Sequence, residues 1–154
     1  MKFTRKTFAA QPYIYVEKTT DYARIAEAMG AAFGTVFGFV GQHGITPQSM
    51  PMTVYLDMPK GSQLSFRSGV QVSPEDAARA RGDIKADTLP AGDAMTATHV
   101  GPYASLNQSH GALWKHLEDT GIASSMPVWE IYTDDPDKVD EARLRTEIHR
   151  KIAG

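Results

Sequence analysis

The sequence contains no cysteine, and this absence removes several kinds of chemistry at once. Disulfides, thiolate nucleophiles and zinc–thiolate sites all require that side chain. The chain also lacks an excess of either charge, since 16 Lys and Arg stand against 18 Asp and Glu and give a formal net charge of −2. Domains that bind nucleic acid or anionic membranes usually carry a basic surface. Neither a direct nucleic-acid partner nor a membrane is therefore expected.

Long hydrophobic runs are missing as well. The N-terminus has no apolar stretch of signal-peptide length, so a cytoplasmic protein is expected. The uncharged segment 28–41 has 14 residues, fewer than the roughly 18 to 20 that a membrane-spanning helix needs. Its glycines Gly30, Gly34 and Gly38 recur every four residues. We expect a buried helix on which this glycine ridge lets another backbone approach closely.

Familiar catalytic and metal-binding motifs are absent too. The five histidines include no i, i+4 pair and no HExxH, and the chain has neither a GxSxG elbow nor a P-loop. No metal and no cofactor is therefore predicted. His110 falls on the apolar stripe of a predicted helix, where a core histidine is commoner than a ligand. His99 precedes a Gly-Pro turn, from which it could reach a helix N-terminus or a cleft.

The pattern of strand and helix signals occurs twice along the 154 residues, whose length and 42% hydrophobic content indicate one globular domain over 1–154. The first set is a strand at 13–16, a helix after Asp21, and strands at 52–57 and 63–72. After a polar break at 73–83 come strands at 84–89 and 93–100, a helix after Gly101-Pro102, and strands at 128–133 and 144–152. Apolar and charged residues alternate along the last strand, so one of its faces is expected to be exposed.

The two sets also share a sequence pattern. HGITPQSMPMTVYLDMP (43–59) and TGIASSMPVWEIYTDDP (120–136) both run Gly-Ile, a polar spacer, Ser-Met-Pro, a strand with Tyr, then Asp and Pro. This indicates an α+β fold of duplicated strand–helix–strand–strand units, repeat one about 13–72 and repeat two about 84–152. Such units pack about a pseudo-twofold axis with a ligand cleft between them. Counted from the shared tyrosine, Tyr55 corresponds to Tyr132 and Thr53 to Glu130.

Glu130 is the unusual residue of the second copy, because strands are depleted in glutamate. Strict alternation places Val128, Glu130 and Tyr132 on one face, and Trp129 and Ile131 on the other. A carboxylate there either points to solvent or faces a cavity in which a partner offsets the free energy of burying its charge. Trp129 is then a core residue unless a bulge turns it.

These motifs resemble the GyrI-like effector-binding family, which also forms the ligand-binding half of MerR-type and AraC-type regulators. The resemblance is carried by HVGPYASL (99–106), WEIY (129–132) with the DDP that follows, and LRTEI (144–148). It implies two repeats around a pocket with aromatic walls and an acidic residue at the base. In multidrug-binding members this acidic residue neutralises lipophilic cations, and it matches Glu130 of this sequence.

The resemblance leaves the activity open between three roles. The first is binding of hydrophobic, cationic or planar small molecules, with a separate regulator as a protein partner. The second is hydrolysis of cyclopropane-bearing compounds by Glu130 with Tyr55 or Tyr132, and the third is a gyrase inhibitor that binds its partner through an acidic surface. The expected ligand-binding residues are Glu130, Tyr132, Tyr55, Phe33, Phe37, Met52 and Trp129.

Overall fold

Eight antiparallel strands form a single sheet in the computed structural model, which describes residues 1–154. The strands are β1 (Thr4–Phe8), β2 (Gln11–Asp21), β3 (Met52–Tyr55), β4 (Gln63–Gln71), β5 (Lys85–Leu89), β6 (Gly92–Val100), β7 (Ser124–Tyr132) and β8 (Arg145–Ile152). The helices are α1 (Ile25–Gln42), α2 (Pro74–Ala77) and α3 (Leu106–Asp119). The predicted α+β class is confirmed, and the predicted strands and the two long helices are all present.

Equivalent strands of the two halves follow in the same order when the sheet is followed inward from either edge. The order is β1-β6-β8-β7-β3-β4-β2-β5. Each half contains one strand–helix–strand–strand unit, β2-α1-β3-β4 or β6-α3-β7-β8, and one edge strand, β5 or β1. The strands β3 and β7 form the central pair. In that pair Thr53 lies opposite Glu130, and the flanking pairs are Val54 with Trp129 and Met52 with Ile131. This register places an approximate twofold axis at the Thr53–Glu130 pair. Duplication of an ancestral unit, and the boundaries of its repeats, stay predictions.

Both long helices cover the same face of the sheet. Alternate residues of β2, among them Ile14 and Val16, pack with Ala32 and Val36 of α1 in one cluster. Leu113 of α3 packs in a second cluster with residues of β6 and β8. The two helices thus stand on separate cores, one over each half of the sheet, and the central strands between them are left free to form the floor of a cleft.

The opposite face of the sheet has its own core without any helix over it. This back-face cluster consists of Tyr13, Tyr15, Met52, Val54, Leu89, Ala94 and Trp129. Phe8 on the edge strand β1 approaches Trp129 to 5.6 Å between ring centroids, although three strand spacings of about 4.8 Å separate their strands. The sheet therefore curls toward this face and buries it against itself.

The expectation that β8 has an exposed face holds only for the start of the strand, because the curling buries the rest of that face. His149 is 2% exposed, and Arg150 and Lys151 are buried as well. His149 stacks on Trp129, with their ring centroids 5.0 Å apart and 17° between the ring planes. Sequence alternation correctly separates the two faces of β8. The side of Arg145 and Glu147 stays partly exposed at the start of the strand, and the sheet closes over that side from His149 onward.

The expectation of a buried α1 is wrong. Only Ala32, Val36 and Val40 of this helix are buried, and a Cβ added at Gly30, Gly34 or Gly38 would meet nothing within 4 Å. The ridge therefore faces open space, because α1 lies at the edge of a cleft and no second backbone covers it. The segment Tyr22–Gln42, 21 residues, is long and apolar enough to cross a membrane by length and composition alone, a criterion that core helices of soluble proteins also satisfy.

Candidate functional site

A cavity of about 1110 Å³ opens between the two long helices over the central strands. Ligand pockets in proteins usually span about 300–1,000 Å³, so a compound with several rings would fit inside. Most of its lining is apolar, with walls from α1, from the segments after α1 and β3, and from the start of α3. The larger apolar residues of these walls include Met29, Phe33, Phe37, Met50, Met58, Leu106 and Met126.

The carboxylate of Glu130 lies at the base of this cavity. The residue is 4% exposed, and its two oxygens accept three hydrogen bonds. The hydroxyl of Tyr132 donates to Oε1 over 2.8 Å and that of Tyr55 approaches the same oxygen at 3.4 Å. Nε2 of His110 lies 2.6 Å from Oε2. These three donors offset the desolvation of the buried carboxylate, since they replace hydrogen bonds that water would make.

The two phenols are fixed as donors by their surroundings. Burial raises the pKa of Tyr132 well above its usual range, and the negative charge of Glu130 raises it further. Burial followed by Glu130 has the same effect on the pKa of Tyr55. Both hydroxyls therefore keep their protons at neutral pH and can only stabilise the ionised carboxylate, not repel it.

Charges at the mouth of the cavity have the same sign as the charge at its base. Asp57, Asp134 and Asp135 are among the lining residues, whereas no lysine or arginine is. Asp134 is held by Arg145 through Nη2 at 2.9 Å, outside the lining. Clefts lined by one sign of charge focus the field on a ligand. The permanently charged groups that line the cleft are therefore all negative.

Five of the seven expected ligand-binding residues meet in this cleft: Glu130, Tyr132, Tyr55, Phe33 and Phe37. The rings of Phe33 and Tyr132 are arranged edge to face, with 5.9 Å between centroids, and Phe37 lies 6.2 Å from Phe33 with 31° between the ring planes. The other two, Met52 and Trp129, do not line it. Met52 is 0% exposed and Trp129 2% exposed in the back-face cluster, because both alternate with the cleft-facing positions of their strands.

Sequence reasoning missed His110 and Tyr103 as cleft residues. Tyr103 stands in the 3₁₀ turn before α3 and contacts Tyr132, with 5.5 Å between ring centroids. A signal for both was present, because positions 103, 106, 107 and 110 follow helical spacing and all line the cleft. His99, by contrast, is structural: its Nδ1 bonds Ser109 Oγ at 2.6 Å at the start of α3.

The cleft holds no arrangement of metal ligands. No group of three or more His, Asp or Glu side chains in the chain is placed to bind a metal ion. What the site offers is a single stabilised carboxylate, three hydrogen-bond donors bound to it, and aromatic faces around them. Such a set can hold a cation by charge and cation–π contact, or can take part in proton transfer.

A family model described as the GyrI-like small molecule binding domain matches residues 1–152. No curated protein matches the sequence. Among solved structures, the protein EcmrR in a complex with DNA is 21% identical with a TM-score of 0.81, over 98% of this chain and 57% of that chain. The C-terminal domain of EcmrR is 22% identical with a TM-score of 0.79, over 99% of this chain and 97% of that chain. This chain therefore spans little more than half the length of the whole EcmrR chain.

Two further structures share the fold. SAV2435 bound to tetraphenylphosphonium is 16% identical with a TM-score of 0.64, over 100% of this chain and 95% of that chain. A hydrolase encoded by lin2189 from Listeria innocua is 14% identical with a TM-score of 0.62, over 99% of this chain and 92% of that chain. At these identities the likeness concerns the fold.

Proposed function

Because the chain belongs to the GyrI-like small-molecule binding domain family, we propose that its cleft binds hydrophobic compounds that are cationic or planar. The observation that carries the proposal is the position of Glu130, a buried carboxylate at the base of a largely apolar cavity of about 1110 Å³. An apolar cavity alone would accept any compound of suitable size. A negative charge at its base adds a preference for positive ligands.

The aromatic residues around the carboxylate support the same ligand class. Phe33 and Tyr103 both lie within 6 Å of Tyr132 between ring centroids. A cation near Glu130 can therefore meet a ring face as well as the negative charge. Each cation–π contact contributes about 0.5–2 kcal/mol, depending on how dry the site is. SAV2435, which has the same fold, binds the lipophilic cation tetraphenylphosphonium, and we therefore choose this compound as the probe.

The test is calorimetric titration of wild type and Glu130→Gln with tetraphenylphosphonium. A unit charge about 4 Å from a cation contributes roughly 4 kcal/mol at an effective dielectric constant near 20. Since the three donors already draw on the carboxylate, we expect a smaller loss, on the order of 10- to 100-fold in affinity. Glu118→Gln, on the exposed side of α3, is the matched control and should bind as wild type does.

Triphenylphosphine oxide, an uncharged relative of the probe, separates charge from shape. It should bind Glu130→Gln about as well as it binds wild type, because the apolar walls are unchanged. Equal binding of tetraphenylphosphonium to wild type and Glu130→Gln would refute the role of the carboxylate. No binding of either compound to folded wild type would refute the proposed ligand class.

A second candidate function is hydrolysis of an electrophilic, cyclopropane-bearing compound in the same cleft. The observation in its favour is that a possible base and possible acids already touch: His110 and Tyr132 both hydrogen-bond Glu130. Glu130 would take a proton from water while a tyrosine donates one to the opening ring. The test is mass spectrometry of an activated cyclopropane for multiple turnovers to a product with one added water, which Glu130→Gln and Tyr132→Phe should abolish.

The proposal extends to the setting of the protein. We place it in the cytoplasm, with the ligand-bound state read by a protein partner, either a regulator or DNA gyrase. The acidic segment around Asp134–Asp137 at the cleft mouth supports an interaction that responds to the ligand. Co-purification with gyrase that is indifferent to Glu130→Gln would favour a partner role independent of the cleft.

A further inference from the structure

We infer that His110 determines which ligand charge the cleft accepts, an inference that rests on the proposed binding function. When its imidazole is protonated, it neutralises Glu130 and the base of the cleft suits uncharged planar compounds. When the imidazole is neutral, the carboxylate keeps its negative charge and the cleft takes cations. The two ligand classes left open above would then be alternatives selected by one proton.

The geometry of the pair allows this change without loss of its hydrogen bond. Nε2 of His110 lies 2.6 Å from Oε2 of Glu130, at the short end for contacts between charged groups. An ionised carboxylate only accepts, so Nε2 must carry a hydrogen in both charge states. The proton that comes and goes is the one on Nδ1. That nitrogen has no hydrogen-bond partner in the protein, and it is not fully buried.

His110 is also placed to exchange this proton with solvent while the glutamate is not. Its side chain is 20% exposed against 5% for that of Glu130. Histidine is the side chain that ordinarily changes charge between about pH 5 and 8. The imidazole is therefore the more exposed member of the pair, with one nitrogen bonded to the carboxylate and the other without a partner in the protein.

No other positive group stands in the cleft. The other titratable side chains that line the cleft come from the turn before α1, from β3 and the loop after it, from the turn before α3, and from β7 and the loop after it. They are Tyr22, Tyr55, Asp57, Tyr103, Glu130, Tyr132, Asp134 and Asp135, all neutral or negative. Arg150 of β8 is outside the lining and stacks on Trp114, 4.6 Å from the ring centroid. His110 is thus the one lining residue able to carry a positive charge.

This arrangement predicts that cation binding releases a proton. A ligand cation beside Glu130 would repel an imidazolium bonded to the same carboxylate, so binding drives the proton from Nδ1 to solvent. By one-proton linkage the affinity for a cation should then rise with pH, by at most about tenfold per pH unit while His110 is mainly protonated. The affinity for a neutral ligand of similar shape should not rise.

The experiment is calorimetric titration of wild type and His110→Gln with tetraphenylphosphonium and with triphenylphosphine oxide, from about pH 5.5 to 8.5. The glutamine keeps an N–H donor but cannot titrate, and His110→Asn replaces it should that variant fail to fold. We expect wild type to gain cation affinity with pH and to release up to one proton, measured from the heats in buffers of different ionisation enthalpy. His110→Gln should release none, and its affinity for the cation should not change with pH over this range.

Two results would overturn the inference in different ways. If wild type and His110→Gln bind the cation with the same pH profile and the same proton release, His110 has no part in charge selection, while the binding function stands. If folded wild type binds neither probe at any pH, the proposed function fails and takes the inference with it. Circular dichroism at each pH establishes that the protein is folded.

Discussion

Acid should destabilise this protein through His149, which lies on the curled side of the sheet, where the carboxylate of Glu147 approaches its Nε2 only to 3.8 Å. Neither ring nitrogen has a hydrogen-bond partner, and the ring packs between Trp129 and Phe8, with centroids 5.0 Å and 5.5 Å away. Burial, with a smaller contribution from the charge of Lys6, lowers the pKa of His149 from 6.5 to about 4. The imidazole is therefore neutral in the folded protein across the physiological range.

The sign and size of the effect follow from linkage. The unfolded chain binds this proton below about pH 6.5, whereas the folded protein resists it down to about pH 4. The stability that comes from keeping His149 neutral is therefore fully present above the pKa of the unfolded chain, and it is lost as the pH falls from about 6.5 to about 4. The gap between the two values corresponds to roughly 3 kcal/mol, a large part of the about 5–15 kcal/mol by which domains are stable.

The assay is urea unfolding of wild type and His149→Phe at about pH 7.5 and pH 4.5, a window set by the two pKa values. Phenylalanine keeps the stacked ring and removes the titration. Between the two pH values, the free energy of unfolding of wild type should fall by roughly 2–3 kcal/mol more than that of the variant. The control is His43→Gln, at a half-buried position just after α1, which should lose as much stability as wild type. Equal acid destabilisation of wild type and His149→Phe would refute the reasoning.

Five further substitutions test the fold and the site. Gly34→Ala and Gly38→Ala should each raise the free energy of unfolding by up to about 1 kcal/mol, because alanine favours helix and the added methyl meets nothing within 4 Å. Gly69→Ala should prevent folding, since its Cβ would lie 1.8 Å from a backbone oxygen of β2. Tyr132→Phe should destabilise by about 1–3 kcal/mol and more than Tyr55→Phe, whose hydroxyl is 3.4 Å rather than 2.8 Å from the carboxylate. Urea unfolding measures all of these, and the reverse ranking of the two tyrosines would contradict the geometry.

Local patterns were sufficient to predict the strand that carries the site. Period-two alternation along β7 separates Glu130 and Tyr132 from Trp129, and the cleft and the back-face cluster lie on those respective sides. The same rule excludes Met52, because counting from the shared tyrosine makes it the counterpart of Trp129. The wrong expectation for Met52 therefore came from setting aside a signal that the sequence contains.

Features that depend on pairing between distant segments were not predictable in this way. β1, with the sequence TRKTF, shows no apolar alternation, and it becomes a strand by pairing with β6 almost ninety positions along the chain. Helical periodicity likewise identifies the faces of α1, but which face is covered depends on where the sheet places the helix. The exposed glycines Gly34 and Gly38 and the buried face of β8 are consequences of that tertiary arrangement.

The chemistry of the cleft is asymmetric although its frame is nearly symmetric. Tyr55 and Tyr132 come from opposite halves and converge on one carboxylate. At the axis itself, Thr53 faces Glu130 across the β3–β7 pair; a second glutamate in place of the threonine would set two like charges on directly opposed residues, which is destabilising. A frame of this kind therefore has room for one central charge.

The two long helices also combine a symmetric frame with asymmetric chemistry. Each begins with a 3₁₀ turn that starts at a tyrosine, Tyr22 before α1 and Tyr103 before α3, and seven residues further on stand Met29 and His110, both lining the cleft. Met29 supplies polarisable apolar surface, whereas His110 supplies a partner for the carboxylate of Glu130. Substitutions at positions 130 and 110 should therefore alter the ligand charge that the base of the cleft prefers, while substitutions at Met29 should alter the fit of the ligand without altering that preference.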